Sequence, residues 1–232
     1  MAEKIRYTRR DLKGPDEFIS TFGRAVAWCK ENRTKVAAAV LGVAAVVAIG
    51  IGTSAYLRWE ENKSARELWP HLNRAREFLL TPSEADPEKL AALEQFLAAH
   101  VNMHPSTRAA VYARYYLGSI AFFRGKYDLA AAQFRGGYET GKEEGILKYL
   151  LREGYARSLE AKGDYAAAAA AYRAAQAFAD AEMKAQSQVG EARVLSLSGK
   201  KGDAVALYRQ LLKDSPDARV RDLVEIKLAQ ME

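Results

Sequence analysis

Cysteine is almost absent from this sequence. Its 232 residues include a single one, Cys29, which lies ahead of a long apolar run. Neither a disulfide framework nor a cysteine-based metal site can therefore form in the chain beyond that run. A lone thiol in the N-terminal tail agrees with a reducing compartment on that side.

Signatures of catalysis are also missing. The sequence contains no G-x-S-x-G nucleophile elbow, no phosphate-binding loop and no glycine-rich dinucleotide fingerprint. Of its three histidines, His71 stands alone, while His100 and His104 are spaced to share a helix face, as metal ligands do. However, Val101 stands where a zincin motif needs glutamate, Pro105 indicates the helix end, and no third ligand is evident nearby. We expect no metal site, no cofactor and no enzymatic activity, and interpret His100 and His104 as polar residues at a helix end.

Charged side chains are absent from residues 36–57, a stretch of 22 residues between Lys35 and Arg58. As a helix this stretch extends about 33 Å, against a hydrocarbon core of roughly 30 Å. It lacks the polar face that a surface helix of a soluble protein needs, so we predict a transmembrane helix rather than a buried core helix. A cleaved signal peptide is less favoured, because apolar signal regions span about 7–15 residues.

Positive charge is concentrated in the tail before this run. Residues 1–35 carry nine Lys and Arg against five Asp and Glu, whereas the remaining residues carry 26 against 24. A short basic tail beside a membrane span favours a cytoplasmic N-terminus, with the large C-terminal region on the other side. That region shows no basic stripe, so we expect no nucleic-acid binding.

Within the tail, residues 1–15 are polar and are expected to form little structure. Residues 16–32 are predicted to form an amphipathic helix next to the membrane, because Phe18, Phe22, Val26 and Cys29 recur on one face. Such a helix either lies flat on the membrane surface or presents a docking face to a partner protein.

After the apolar run the sequence stays helical in character, which predicts a stalk helix. Pro70 is expected to kink this helix or to end it near Trp69. A turn with two prolines follows at residues 81–87, and Pro87 is predicted to begin the next helix with Asp86 as its N-cap.

Proline is absent between Pro105 and Pro216, which favours unbroken helices, and this region repeats itself. Each copy has a turn glycine, a small alanine in the following helix and an aromatic residue one turn later. The copies, offset by 38 and 36 residues, are Gly125, Ala130 and Phe134; Gly163, Ala168 and Tyr172; and Gly199, Ala204 and Tyr208.

This pattern resembles the tetratricopeptide repeat, although the offsets exceed the standard length of about 34 residues and the leading tryptophan is absent. The fold class that follows is all-α: a single N-terminal transmembrane helix and then a tetratricopeptide-like α-solenoid over residues 58–232. Three repeats are expected, preceded by one degenerate unit and closed by a capping helix over residues 217–231. In the capping helix one face is predicted to hold Val220, Leu223, Val224 and Leu228.

In repeats of this kind the first helix lines the concave face, and the resemblance therefore implies a partner-binding surface. Its candidate residues are Tyr112, Tyr115, Ser119, Phe122, Glu153, Arg157, Glu160, Gln186 and Arg193. Tyrosine and arginine are enriched at binding hot spots. For each residue, packing between repeats or a solvated helix face is an equally good interpretation.

The layout as a whole resembles the family of ancillary subunits of the SecYEG translocon (YfgM-like). That resemblance implies a bacterial inner-membrane adaptor whose periplasmic domain binds proteins, namely the translocon, chaperones or envelope-complex subunits, beside the lipid bilayer. The alternative is a structural subunit of a cell-envelope assembly that forms homo-oligomers through its repeats.

Overall fold

The computed structural model describes residues 17–81, 86–140, 145–214 and 218–231. Every element within these residues is helical, in agreement with the predicted all-α class. The helices are α1 Glu17–Glu31, α2 Arg33–Leu80, α3 Pro87–Met103, α4 Arg108–Phe123, α5 Tyr127–Thr140, α6 Ile146–Ala161, α7 Tyr165–Ala175, α8 Ala181–Leu197, α9 Lys201–Asp214 and α10 Ala218–Ala229, with a short 3-10 helix Gln176–Phe178 after α7.

The chain divides into two compact units, Met1–Leu57 and Arg58–Glu232. In the first unit, α1 is followed by the apolar part of α2. Phe22, Val26 and Trp28 of α1 are exposed, and so are residues 37–57 of α2. Residues 1–16 and the side chain of Phe18 lie outside the described residues.

Within the described residues one helix, α2, is long and apolar enough to cross a membrane. This criterion uses length and composition alone, and a signal sequence near the N-terminus meets it as well.

The second unit begins with the last part of α2. Pro70 lies inside this helix and does not end it near Trp69, since α2 continues to Leu80. The buried residues of α2 recur every three or four positions: Ser64, Leu68, Leu72, Ala75 and Phe78. Their apolar members form one core with α3 and α4. Asp86 caps α3 as predicted, accepting hydrogen bonds from the N–H groups of Glu88 and Lys89.

Helices α4 to α9 form three helix pairs whose turns share one geometry. The turn glycines Gly125, Gly163 and Gly199 have φ angles of 71°, 83° and 84°, in the left-handed region that glycine adopts without strain. In the first turn, Lys126 N–H donates to the Ala121 carbonyl and Gly125 N–H to that of Phe122. This pair of bonds is the Schellman cap, and both bonds recur in the other two turns. Each turn glycine of the repeat pattern therefore caps the first helix of its pair.

The small and aromatic positions of the repeat are buried between the helices. The alanines Ala130, Ala168 and Ala204 are fully buried, and the aromatic residues are at most 4% exposed: Phe134, Tyr172 and Tyr208. Gly118 and Gly154 flank the Phe134 ring so closely that a Cβ on either would lie within 3.0 Å of ring atoms. The aromatic residue of the first pair thus packs on α4 and on the first helix of the next pair, α6.

At the C-terminus, α10 covers the last helix pair. Val220, Val224 and Leu228 are buried in a cluster that also contains Tyr208. Leu223, predicted to share their face, is 41% exposed and lies outside this buried cluster. On a helix of 3.6 residues per turn, positions 220, 224 and 228 define the stripe, and position 223 lies at its edge.

Candidate partner-binding face

The nine candidate residues lie on the first helices of the three pairs. α4 carries Tyr112, Tyr115, Ser119 and Phe122; α6 carries Glu153, Arg157 and Glu160; and α8 carries Gln186 and Arg193. Contacts or electrostatic interactions between helices link six of them, which we call the A-helix face. These six are Tyr115, Phe122, Glu153, Arg157, Glu160 and Arg193.

Between α4 and α6, the Arg157 guanidinium lies over the Phe122 ring, 5.4 Å from its centroid. Arg157 is exposed and Phe122 is half-buried, so this cation–π contact leaves the guanidinium N–H groups open to solvent. Tyr115 packs beside Phe134, with ring centroids 6.2 Å apart, and burial raises the pKa of its phenol. This end of the face combines aromatic area with an accessible cation.

Between α6 and α8, Arg193 and Glu160 form a two-point ion pair. Arg193 Nε donates to Glu160 Oε1 at 2.6 Å and Nη2 donates to Oε2 at 2.8 Å. The Tyr172 hydroxyl also donates to Glu160 Oε2, at 2.7 Å. Burial acts to raise the pKa of Glu160, but the hydrogen bonds from Arg193 and Tyr172 outweigh it and hold that pKa below its ordinary value. Glu160 and Arg193 therefore join adjacent repeats.

Glu153 lies between these two junctions and is affected by both arginines. Burial raises the pKa of its carboxyl group, while the charges of Arg157 and Arg193 oppose the rise without cancelling it. A half-buried carboxylate between two guanidinium groups gives the middle of the face an alternating charge pattern.

The other three candidates belong less clearly to a surface. Ser119 is buried and donates to the carbonyl of Tyr115 in its own helix, at 2.9 Å. Tyr112 is half-buried and packs against two core clusters. Gln186 is exposed on α8, outside the two junctions. Packing accounts for Ser119 and Tyr112.

A second group of cations and aromatic rings was missed by the sequence analysis. The Arg152 guanidinium lies 4.5 Å from the Tyr138 ring centroid and 5.1 Å from that of Phe178, and Lys148 Nζ lies 4.8 Å from the latter. Phe178 belongs to the 3-10 helix, which no repeat signal predicted. The spacing of Lys148 and Arg152 on α6 was the only available signal.

The buried acid Glu191 was also missed. It occupies the repeat position of Leu117 and Tyr155 and is only 4% exposed. Its carboxylate accepts from Arg173 Nε at 2.8 Å and from Gln176 Nε2 at 2.8 Å. These partners explain how an acid replaces a hydrophobic residue there, because a buried charge needs pairing.

The histidines of α3 do not stand alone at a helix end. Glu67 of α2 lies 37 residues before His104 in the sequence but close to both histidines in the fold. One ligand atom from each of Glu67, His100 and His104 lies within 4.8 Å of the other two. Burial and the neighbouring His104 lower the pKa of His100. These three residues are able to hold a metal ion.

Comparison with known proteins gives one match. A tetratricopeptide-repeat family model matches residues 90–143, which cover most of α3 and the first helix pair. No curated protein and no solved structure matches the chain, so the resemblance to the translocon-subunit family rests on the layout of the chain. Tetratricopeptide repeats generally bind protein partners and are typically not catalytic. The matched stretch is similar to these repeats, and the two helix pairs after it have the same turn geometry.

Proposed function

We propose that this protein is a membrane-anchored, non-enzymatic adaptor that binds protein partners on the A-helix face. The observation that carries the proposal is the row of interactions joining α4, α6 and α8, from Phe122 and Arg157 to Glu160 and Arg193. Side chains already held by neighbours lose little conformational freedom on binding. Arginine and tyrosine are the residue types that most often dominate binding energy.

The anchor is the uncharged stretch of α2 at residues 36–57. Its length suits a bilayer and the basic tail favours a cytoplasmic N-terminus, with the repeats on the opposite side of the membrane. The resemblance to ancillary translocon subunits implies that this membrane is a bacterial inner membrane and that the opposite side is the periplasm. Holding the A-helix face near the membrane raises the effective concentration of partners there. The resemblance to ancillary translocon subunits suggests exported proteins, the translocon and periplasmic chaperones as those partners.

Site-specific crosslinking tests this proposal in membranes. A photoreactive phenylalanine analogue replaces Ala161, which is exposed one turn after Arg157 on α6, and the adducts are identified by mass spectrometry. In this background, Arg157→Ala is expected to weaken partner binding about 5- to 30-fold, the effect of losing about 1–2 kcal/mol at a hot spot. Adduct yield should fall accordingly.

The matched control is Arg135→Ala, because Arg135 is equally an exposed arginine but pairs with Glu139 on its own helix, α5. Its adduct yield should equal that of the parent protein, and circular dichroism should show the same helicity for all three. If Arg157→Ala leaves the adducts unchanged, the A-helix face is not the binding surface.

A further inference from the structure

The proposed site is built around the two histidines at the end of α3, and it stands independently of partner binding. His104 is the C-cap residue of α3, and its side chain is 7% exposed. Its Nδ1 lies 2.5 Å from Glu60 Oε1 and its Nε2 lies 3.1 Å from Glu67 Oε2. Glu60 and Glu67 are two turns apart on α2, so one helix presents both carboxylates to one imidazole.

His100, one turn earlier on α3, is fully buried. Its Nε2 lies 2.9 Å from Ser64 Oγ, while its Nδ1 has no hydrogen-bond partner in the described part of the chain. The two imidazole centroids are 4.9 Å apart. A buried polar atom without a hydrogen-bond partner destabilises the fold, so this nitrogen needs an explanation.

A metal ion binds the neutral form of an imidazole, and in His100 the hydroxyl groups nearby determine which nitrogen of that form carries the proton. Thr107 Oγ1 donates its single proton to the His104 carbonyl at 2.9 Å. The 2.8 Å bond between Ser64 and Thr107 must then use the Ser64 proton. Ser64 Oγ consequently accepts from His100 Nε2–H, which leaves Nδ1 with an unprotonated lone pair. A lone pair of this kind is what a metal ion requires.

We propose that Glu67, His100 and His104 bind a Zn²⁺ ion, through His100 Nδ1, His104 Nε2 and a Glu67 carboxylate oxygen. Two histidines and one glutamate are an established zinc donor set that leaves a fourth position for water. With zinc–ligand bonds of about 2.0–2.1 Å, two ligands of a tetrahedral ion lie about 3.3 Å apart, close to the separation of His104 Nε2 and Glu67 Oε2.

The residues that hydrogen-bond to the two histidines also fit a zinc site. Glu60 holds His104 through the ring nitrogen that faces away from Glu67, and Ser64 does the same for His100. A carboxylate or hydroxyl on the second nitrogen of each ligating histidine orients the ring and increases its basicity. A bound ion joins α2 to the end of α3 and thereby stabilises the start of the repeat domain.

The test uses the full-length protein without a polyhistidine tag, purified in mild detergent and stripped with EDTA. Titration with ZnCl₂ should give one ion per chain, by calorimetry and by elemental analysis after desalting. Zinc at 100 times its dissociation constant should raise the thermal unfolding midpoint by about 5–10 °C. A stripped protein that neither binds zinc nor gains stability overturns the proposal.

Variants distinguish this site from other zinc-binding groups. Glu67→Gln keeps the shape of a side chain that is 42% exposed and should weaken zinc binding more than about 100-fold. Loss of a residue that only hydrogen-bonds to a ligand already weakens metal binding about 10- to 100-fold. Ser64→Ala, which removes the hydroxyl group that contacts His100, should weaken zinc binding about 10- to 100-fold. Glu77→Gln, an exposed change on the same helix, should bind zinc as the parent does. Equal zinc affinity in Glu67→Gln and the parent protein would show that the ion binds elsewhere.

Discussion

At the scale of single residues, Gly154 shows how closely the helix pairs approach. A Cβ at this position would lie 2.7 Å from two atoms of the Phe134 ring. Alanine gains about 1 kcal/mol in helix propensity over glycine, whereas overpacking a tight core costs about 1–3 kcal/mol. Since Phe134 is held between two helices, we expect the clash to prevail, and Gly154→Ala to lower the unfolding free energy by about 1–2 kcal/mol.

Thermal unfolding followed by circular dichroism measures this effect. Gly202→Ala is the control, because Gly202 lies in α9 and a Cβ there would meet nothing within 4 Å. This control should leave stability unchanged or raise it by up to about 1 kcal/mol. A Gly154→Ala protein as stable as the parent would mean that the contact with Phe134 relaxes freely.

The raised pKa of Glu153 leads to a prediction about how folding stability depends on pH. Its folded-state pKa is raised above the ordinary value of 4.5, chiefly by burial. The folded state therefore binds the Glu153 proton more tightly than the unfolded state does. The resulting stabilisation is fully present below pH 4.5 and is lost as the pH rises through the folded-state pKa. Glu153→Gln, which is neutral at every pH, should be more stable than the parent protein at pH 7, and the difference should vanish below pH 4.5.

Urea unfolding at pH 7 and at pH 4 gives the comparison. Glu139→Gln serves as the control, because Glu139 is exposed on α5, where such changes usually alter stability by less than about 0.5 kcal/mol. If Glu153→Gln is less stable than the parent at pH 7, the attraction between the Glu153 carboxylate and the charges of Arg157 and Arg193 outweighs the cost of its burial.

At the scale of helices, local signals were sufficient to predict several helix ends. The cap at Asp86 and the turn at Gly125 depend on side chains and dihedral angles within a few residues, and such features are readable from sequence. The burial of Ala168 within a run of six alanines followed from its repeat position in α7. The alternation of first and second helices along the three pairs was therefore predictable.

Features that depend on distant residues were not predictable in this way. Pro70 neither ends α2 nor separates it from the core, because the buried face of the helix continues on both sides of it. Gly136 and Gly137 of α5 admit side chains from neighbouring helices: a Cβ at Gly136 would lie 2.7 Å from Arg114, and one at Gly137 would lie 2.6 Å from Leu151. The group of Glu67 with His100 and His104 joins residues that are far apart in sequence.

At the scale of the whole molecule, each of the two units carries one of the functions we propose. The first unit supplies an apolar helix segment without charge, and the second supplies three helix pairs with a polar and aromatic face. An adaptor needs both, since a binding face gains from a fixed location only if the anchor is retained. Whether the N-terminal segment anchors the protein or is removed as a signal therefore decides between a membrane adaptor and a released one.

Topology experiments in a bacterial host test the anchor. With epitopes at both ends, the protein should keep its N-terminal epitope and remain in the membrane fraction after carbonate extraction, because residues 36–57 span the bilayer. Added protease should degrade the repeats in spheroplasts and leave them intact in inverted vesicles, since the basic tail favours a cytoplasmic N-terminus. Loss of the N-terminal epitope with release of the repeats would indicate a cleaved signal, and the reverse protease pattern would place the A-helix face in the cytoplasm.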